Sequence, residues 1–346
     1  MKNISMKKHL ALTSLLFLPV LLLCSSTAAF AEDVTLENLV RAESDTMIRL
    51  NLKTFGMEVG EITHLREPVT PSTQTIIRPN QDTLYSAVVL DLSEPATITL
   101  PVTDGRFQSM LVISQDHYLF AEATPGTYEL TEENVGTRFA FILFRTFVDP
   151  ANTDDLATAH ATQDGIALMG GGDGPFETPD WDLDTLKKAR DAVNDLANAV
   201  GFDTSKAFGR KDEVDPIGHL VGAIAGWAGQ PASTAVGIID TVDENDGKTP
   251  HAVTVSDVPV DAFWSITVYN ADGYLEPNDL NRNSYNNVTA NPNDDGSYTI
   301  HFGGCDDSRV NCIPITEGWN YAIRLYQPRK EILDGSWSFP SIEAVK

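Results

Sequence analysis

The chain has 346 residues, with 24 Lys and Arg against 49 Asp and Glu, for a formal charge of −25. Its 42% hydrophobic and 21% charged residues supply a sizeable core and exclude a disordered acidic tail, and the length suggests about two domains. A field of this sign repels phosphate backbones and anionic headgroups, which excludes nucleic acid and polybasic membrane binding.

In chain order, Lys2, Lys7 and Lys8 precede an apolar run from Leu10 to Leu23 and then Ala29-Phe30-Ala31, the pattern of a cleaved secretory signal. The run is about 14 residues, short of the ~20 that span a bilayer. Cleavage near Ala31 predicts a periplasmic or secreted protein without stable membrane insertion. It leaves 315 residues with a charge of −28. Cys24 departs with the signal, and Cys305 and Cys312 remain as a pair expected to form a disulfide in an oxidising compartment.

Short strand-like segments separated by turn signals run over 75–148 and again over 251–327. Between them, after Gly170-Gly171-Gly172, residues Leu183, Leu186, Val193, Leu196 and Val200 recur at helical spacing behind Asp182 as cap. A second helix is expected from Pro216 to about Trp227. The β-rich regions resemble each other: FQSMLVISQDHYL (107–119) laid over FWSITVYNADGYL (263–275) gives six identities in thirteen. GTRFAFILF (136–144) is laid over GWNYAIRLY (318–326). These patterns predict a mainly β fold of two sandwich domains, residues 32–168 and 233–346, with a Gly-rich linker and helical segment over 169–232.

No G-x-S-x-G elbow, H-E-x-x-H, P-loop or dinucleotide fingerprint is present, and no metal or cofactor is expected. The string from Asn291 to Gly296 reads as a hairpin turn more than a calcium loop, because Phe302 holds the twelfth position. The densest polar cluster is RPNQDTLYS. Arg78, Asn80, Asp82 and Tyr85 offer a cation, an amide, a carboxylate and a phenol for a polar ligand. The same residues would also serve as a buried network closing the end of a sandwich. His117 follows Asp116 at a strand end, where the second copy has Gly273. His219 lies four residues after Asp215, whose carboxylate is expected to favour its protonated form and orient it as an acid or base. Arg145, on the face of Phe139, Phe141 and Leu143, requires a partner, expected to be Asp82 or Asp116. Trp227 and Trp264 are candidates for an aromatic wall or for the core.

RPNQDTLYSAVVLDL, FRTFVDP and ATQDGI resemble domain-of-unknown-function family 1254. FWSITVYNADGYLEPNDLNRNSYNN, GGCDDSRVNCIPI and GWNYAIRLYQPRKEILDGSWSFP resemble its usual C-terminal companion, family 1214. The resemblance implies tandem jelly-roll-like β domains in bacterial, commonly exported proteins, and brings no agreed reaction. Gln81 stands where the first family's N-x-D-T-L-Y element usually carries an arginine.

Three functions fit these residues. The first is an exported protein holding a small polar or amphiphilic ligand, such as a carbohydrate, in an interdomain cleft through Arg78, Asn80, Asp82, Tyr85, Asp116, Arg145 and Trp227. The second is a hydrolase or lyase on a carbohydrate or ester, with His219 or His117 as acid or base and Asp215 or Asp82 as orienter. The third is a structural or interaction module of the envelope.

Overall fold

The computed structural model describes residues 31–345, Ser308 excepted; the expected signal segment lies outside the described residues but for its last residue. Fifteen strands and six α-helices alternate among the described residues, so the chain is mixed α/β and the expectation of a mainly β protein is corrected. The strands form three antiparallel-rich sheets. A seven-stranded sheet is built on the 18-residue strand Thr83–Leu100, in the order Thr63–Leu65, Thr83–Leu100, Phe139–Phe147, Gln108–Ser114, Leu119–Glu122. The C-terminal part has two four-stranded sheets. One is centred on Trp264–Tyr269 and Asn320–Tyr326, the other on Tyr298–Phe302 and His251–Val255. These two share a core that includes Val253, Ile266, Ile300, Phe302, Trp319 and Ile323.

Both faces of the seven-stranded sheet are buried, which explains continuous apolar runs such as FAFILF. Met110, Val112, Ala140, Ile142 and Phe144 join Val88 and Leu90 in one core. Leu111, Ile113, Phe139 and Phe141 join Val89 on the other face, where Ile48 of the first helix, Leu39–Phe55, covers them. The long strand changes register between Asp91 and Ala96, and its second half lies between Gly126–Leu130 and Ala167–Gly172. Gly170 to Gly172, expected to open the linker, therefore belong to a strand that hugs this irregularity. Gly170 has φ +75°, and a Cβ there would lie 2.5 Å from the Pro95 carbonyl oxygen.

Both expected helices form, Leu183–Val200 capped by Asp182 and Pro216–Ala225 capped by Asp215. Leu39–Phe55 was not expected, because its buried face carries Glu43, Ser44 and Asp45 and interrupts the apolar stripe. Each of these polar groups is satisfied. Arg190 Nε and Nη2 fork onto Glu43 Oε2 at 3.0 and 2.8 Å, while Asp45 accepts from Gln115 and Trp181 and the Ser44 hydroxyl accepts from the Trp227 indole. Cys305 and Cys312 are joined by a disulfide with Cα atoms 5.6 Å apart, consistent with an oxidising compartment. No helix among the described residues is long and apolar enough to cross a membrane.

The sequence repeat persists in hydrogen-bond detail. Ser114 N–H donates to Tyr118 C=O and His117 N–H to Ser114 C=O, as Asn270 does to Tyr274 and Gly273 to Asn270. The shared turn position has positive φ in both copies, +58° at His117 and +85° at Gly273. The strand pairing corrects the third matched segment by three residues. Arg145 lies opposite Ser109 as Arg324 lies opposite Ser265. Phe147 N–H donates to Phe107 C=O as Tyr326 N–H does to Phe263 C=O, both at 2.9 Å. Arg145 thus corresponds to Arg324 and Phe147 to Tyr326. The four equivalent aromatics Phe107, Phe263, Phe147 and Tyr326 pack on one another between the repeats, with Phe263 and Tyr326 stacked at 4.2 Å.

A Gly170→Ala substitution puts a side chain at a positive φ and against the Pro95 carbonyl. It should lower the unfolding free energy in urea by about 2 kcal/mol or more. Unchanged stability would mean that the strand does not hold the fold at this irregularity.

Candidate functional site: an arginine cavity between the repeats

The segment from Arg78 to Asp82, which leads into the long strand, joins the seven-stranded sheet to the C-terminal sheets. Arg78 N–H donates to Gly273 C=O at 2.7 Å, and its Nε to Asn320 Oδ1 at 3.1 Å. Asn80 Nδ2 donates to the Tyr326 hydroxyl at 2.7 Å, and the Tyr269 hydroxyl to Pro79 C=O at 2.8 Å. Asp82 Oδ1 accepts from Asn286 Nδ2 at 3.0 Å and Ser284 Oγ at 3.2 Å. Arg78, Asn80 and Asp82 therefore form a network between the repeats rather than the end of one sandwich, while Gln81 donates to the nearby Val69 C=O.

Beside this network is a cavity of about 250 Å³ lined by residues of both repeats, among them Arg78, Tyr85, Arg145, Gln230, Arg324 and Tyr326. Asn80 also lines it. Four of the expected ligand-binding residues are thus brought together, and Arg324, Tyr326 and Gln230 join them unexpectedly. A signal for Arg324 was present: it interrupts the apolar strand NYAIRLY as Arg145 interrupts FAFILFRTF.

None of the three guanidinium groups has a carboxylate partner among the described residues. The expected pairing of Arg145 with Asp82 or Asp116 is overturned, because each acid is committed elsewhere. Asp82 binds Asn286 and Ser284, and Asp116 binds Arg41 at 2.6 Å. Arg145 is 9% exposed. With the Gln230 amide turned so that its oxygen faces the guanidinium, it accepts from Arg145 Nη1 at 2.9 Å and Nε at 3.1 Å. The guanidinium also lies 5.6 Å from the centre of the Tyr85 ring. Arg324 donates to Thr267 Oγ1, Tyr269 Oη and Arg78 C=O at 2.9–3.1 Å, all neutral acceptors. Burial raises the Tyr326 phenol and keeps it neutral, with Arg324 opposing. Buried cations are ordinarily neutralised by a bonded counter-charge; here the hydrogen-bond partners are neutral dipoles beside an open space, with Asp82 acting on Arg324 through space only. Forked N–H donors in such a setting hold carboxylate or phosphate oxygens.

Other expected site residues lie elsewhere. His117 and His219 come together, with ring centres 6.0 Å apart, but neither lines the arginine cavity. Arg145 is opposite Ser109 and the His117 turn follows Ser114, so five strand residues, roughly 17 Å, separate the two places. His117 is fully buried, and its Nε2 accepts the Ala228 N–H at 3.0 Å. Burial, with His219 adding to it, pushes its pKa down to about 3. The expectation of a protonated His219 is also overturned. Burial lowers its pKa, its Nε2 donates to Asp116 C=O at 3.0 Å, and Asp215 is spent capping Ile217 and Gly218 N–H. Trp227 packs on Phe141 at 5.3 Å beneath the helices, and Trp264 lies in the C-terminal core. The amides of Asn278, Asn283 and Asn286 are consumed by turns of their own segment or by Asp82.

A neutral His117 in the folded state predicts that its ring ¹⁵N shifts stay those of an uncharged imidazole down to pH 5; a midpoint near 6.5 would contradict the burial. Asp82 has the opposite sign. Burial raises its pKa, against the Asn286 hydrogen bond and the Arg324 charge. Its stabilising effect is present below the unfolded carboxylate value of about 3.9 and is lost as pH rises through the raised value. Asp82→Asn keeps the acceptor oxygen and removes that titration. Relative to the parent it should gain stability with rising pH above 4, by up to about 1.4 kcal/mol per pH unit. A constant difference between parent and variant across pH would refute the raised value.

Two family models match the chain, a protein of unknown function (DUF1254) at residues 59–170 and a protein of unknown function (DUF1214) at residues 236–330. The chain is similar in structure to the VPA0106 protein of Vibrio parahaemolyticus, with a TM-score of 0.67 at 19% identity over 89% of this chain and 98% of that one. It also aligns with an uncharacterized protein of Burkholderia cenocepacia, at a TM-score of 0.47 and 15% identity over 90% and 87% of the two chains. Comparison with curated proteins yields no match. The first of these likenesses supports the fold across both repeats, and the chain carries a DUF1254 region at 59–170 followed by a DUF1214 region at 236–330.

Proposed function

We propose that this is an exported binding protein that holds a small anion at the seam of two β units, each jelly-roll-like, spanning about 32–168 and 233–346. The single observation behind this reading is the cavity lined by Arg78, Arg145 and Arg324 without a carboxylate partner. The chain has 49 acidic residues against 24 basic ones, so three cations without a bonded carboxylate at one place demand a reason. Asp82 acts on Arg324 through space without bonding to it, and the ligand's own charge supplies the directly bonded counter-ion that the cavity lacks. Asn80, Tyr85, Gln230 and Tyr326 supply neutral donors and acceptors around it. The disulfide and the apolar leader support export. Preference for an anion over a neutral sugar follows from the guanidinium groups and narrows the polar-ligand expectation.

Calorimetric titration of the purified protein with inorganic phosphate, sulfate or acetate at low salt should register binding. Arg78→Gln should weaken it by about ten- to hundredfold, the value of a charge-assisted hydrogen bond of ~1.5–3 kcal/mol. Affinity for none of these anions, or an unchanged affinity in the folded variant, would overturn the proposal.

A further inference from the structure

The cavity has an internal symmetry that narrows the ligand further. Arg145 and Arg324 occupy the same register of equivalent strands, opposite Ser109 and Ser265. On their other sides lie Tyr85 and Gly237, which also correspond and also line the cavity. Each guanidinium is met from across the seam by the segment that leads into the strand beside the other. Gln230 precedes Ala235–Asp240 and reaches Arg145; Arg78 precedes Thr83–Leu100, and its carbonyl accepts from Arg324. The arrangement is a reciprocal exchange about a pseudo-twofold axis, as in an isologous interface between two copies. The aromatic contact of Phe107, Phe147, Phe263 and Tyr326 obeys the same relation, and Tyr326 separates the cavity from the rest of that cluster.

Resting on the anion reading, we infer that the ligand of this cavity is a short dicarboxylate, one carboxylate held by Arg145 and the other by Arg324. Two equivalent cations on two strands favour a ligand with two equivalent ends over one with a single charged head. Arg145 keeps Nη2 free beside its Gln230 contact and can fork onto a planar carboxylate, while Arg324, with Nη2 taken by Tyr269 and the Arg78 carbonyl, offers single donors from Nε and Nη1. A volume of about 250 Å³ lies below the span of drug-sized sites and suits a chain of a few carbons. Gly237, facing Tyr85 across the axis, leaves room for the chain on the Arg324 side. Arg78 adds a third positive charge, so the pocket as a whole favours a dianion over a monoanion.

The experiment is a calorimetric comparison of succinate, butyrate and inorganic phosphate on the mature chain at low salt. Butyrate has the four-carbon chain of succinate with a methyl group in place of one carboxylate. Succinate should bind at least tenfold tighter than butyrate. Arg145→Gln should collapse that ratio to less than about threefold, and Arg145→Lys, which keeps the charge without the fork, should restore part of it. Arg145 is the side chain to change because its guanidinium bonds to the neutral Gln230 amide and lies against the Tyr85 ring. If the variant does not fold, the succinate to butyrate ratio of the parent decides alone. Equal affinities for succinate and butyrate, with phosphate binding, would overturn the dicarboxylate and leave the anion reading standing. Failure of all three ligands would overturn both.

Discussion

Two arginines at the seam of the repeats, one buried and one half-buried, that hydrogen-bond only to neutral dipoles are the constraint on which the seam depends. An ionised group removed from water costs several kcal/mol unless something restores its lost hydration. Arg324 recovers part of this from Thr267, Tyr269 and the Arg78 carbonyl, and Arg145 from Gln230 and the Tyr85 ring. Thr267 and Tyr269 belong to the strand beside Arg324 and Tyr85 to the strand beside Arg145, but the Arg78 carbonyl and Gln230 reach across the seam, so each arginine is satisfied partly by the opposite repeat. The cost of burying the cations is thereby coupled to the docking of the repeats. The RPNQD segment holds its place through the same contacts, with Arg78 at φ +50° and Asn80 fixed on the Tyr326 hydroxyl. Asp82 is the nearest acid in this network, yet it is held by Asn286 and Ser284 instead of by a guanidinium.

The helical layer follows a different economy. Leu39–Phe55 buries Glu43, Ser44 and Asp45, and each finds a partner on another element: Arg190 for Glu43, Trp227 for Ser44, Gln115 and Trp181 for Asp45. Burial raises the pKa of both acids against those bonds. These contacts orient the helices on the sheet and enclose His117 and His219, whose neutral rings close the layer. His117 accepts the N–H of Ala228, which itself has φ +63°. A histidine at a turn position where the other repeat has Gly273 is thus accounted for by packing and a backbone hydrogen bond.

Much of this was legible in the sequence, and the rest was hidden for identifiable reasons. The caps Asp182 and Asp215 announced their helices because capping is local. The repeat of 107–119 in 263–275 foretold the matching turns at Ser114 and Asn270. The first helix escaped because its buried face is polar. The equivalence of Arg145 and Arg324 escaped because the third repeat segment was matched three residues out of register, and only strand pairing could correct it. The partners of Arg145 and Arg324 come through contacts between distant residues, up to the 246 positions between Arg324 and the Arg78 carbonyl, which spacing along the chain does not encode.

The central claim is that an anion belongs between Arg145 and Arg324, and crystallography of selenate-soaked protein tests it most directly. The account predicts an anomalous selenium peak in the cavity, with selenate oxygens within hydrogen-bonding distance of Arg145 or Arg324. Selenate peaks confined to other surfaces, with the cavity holding only water, would contradict it.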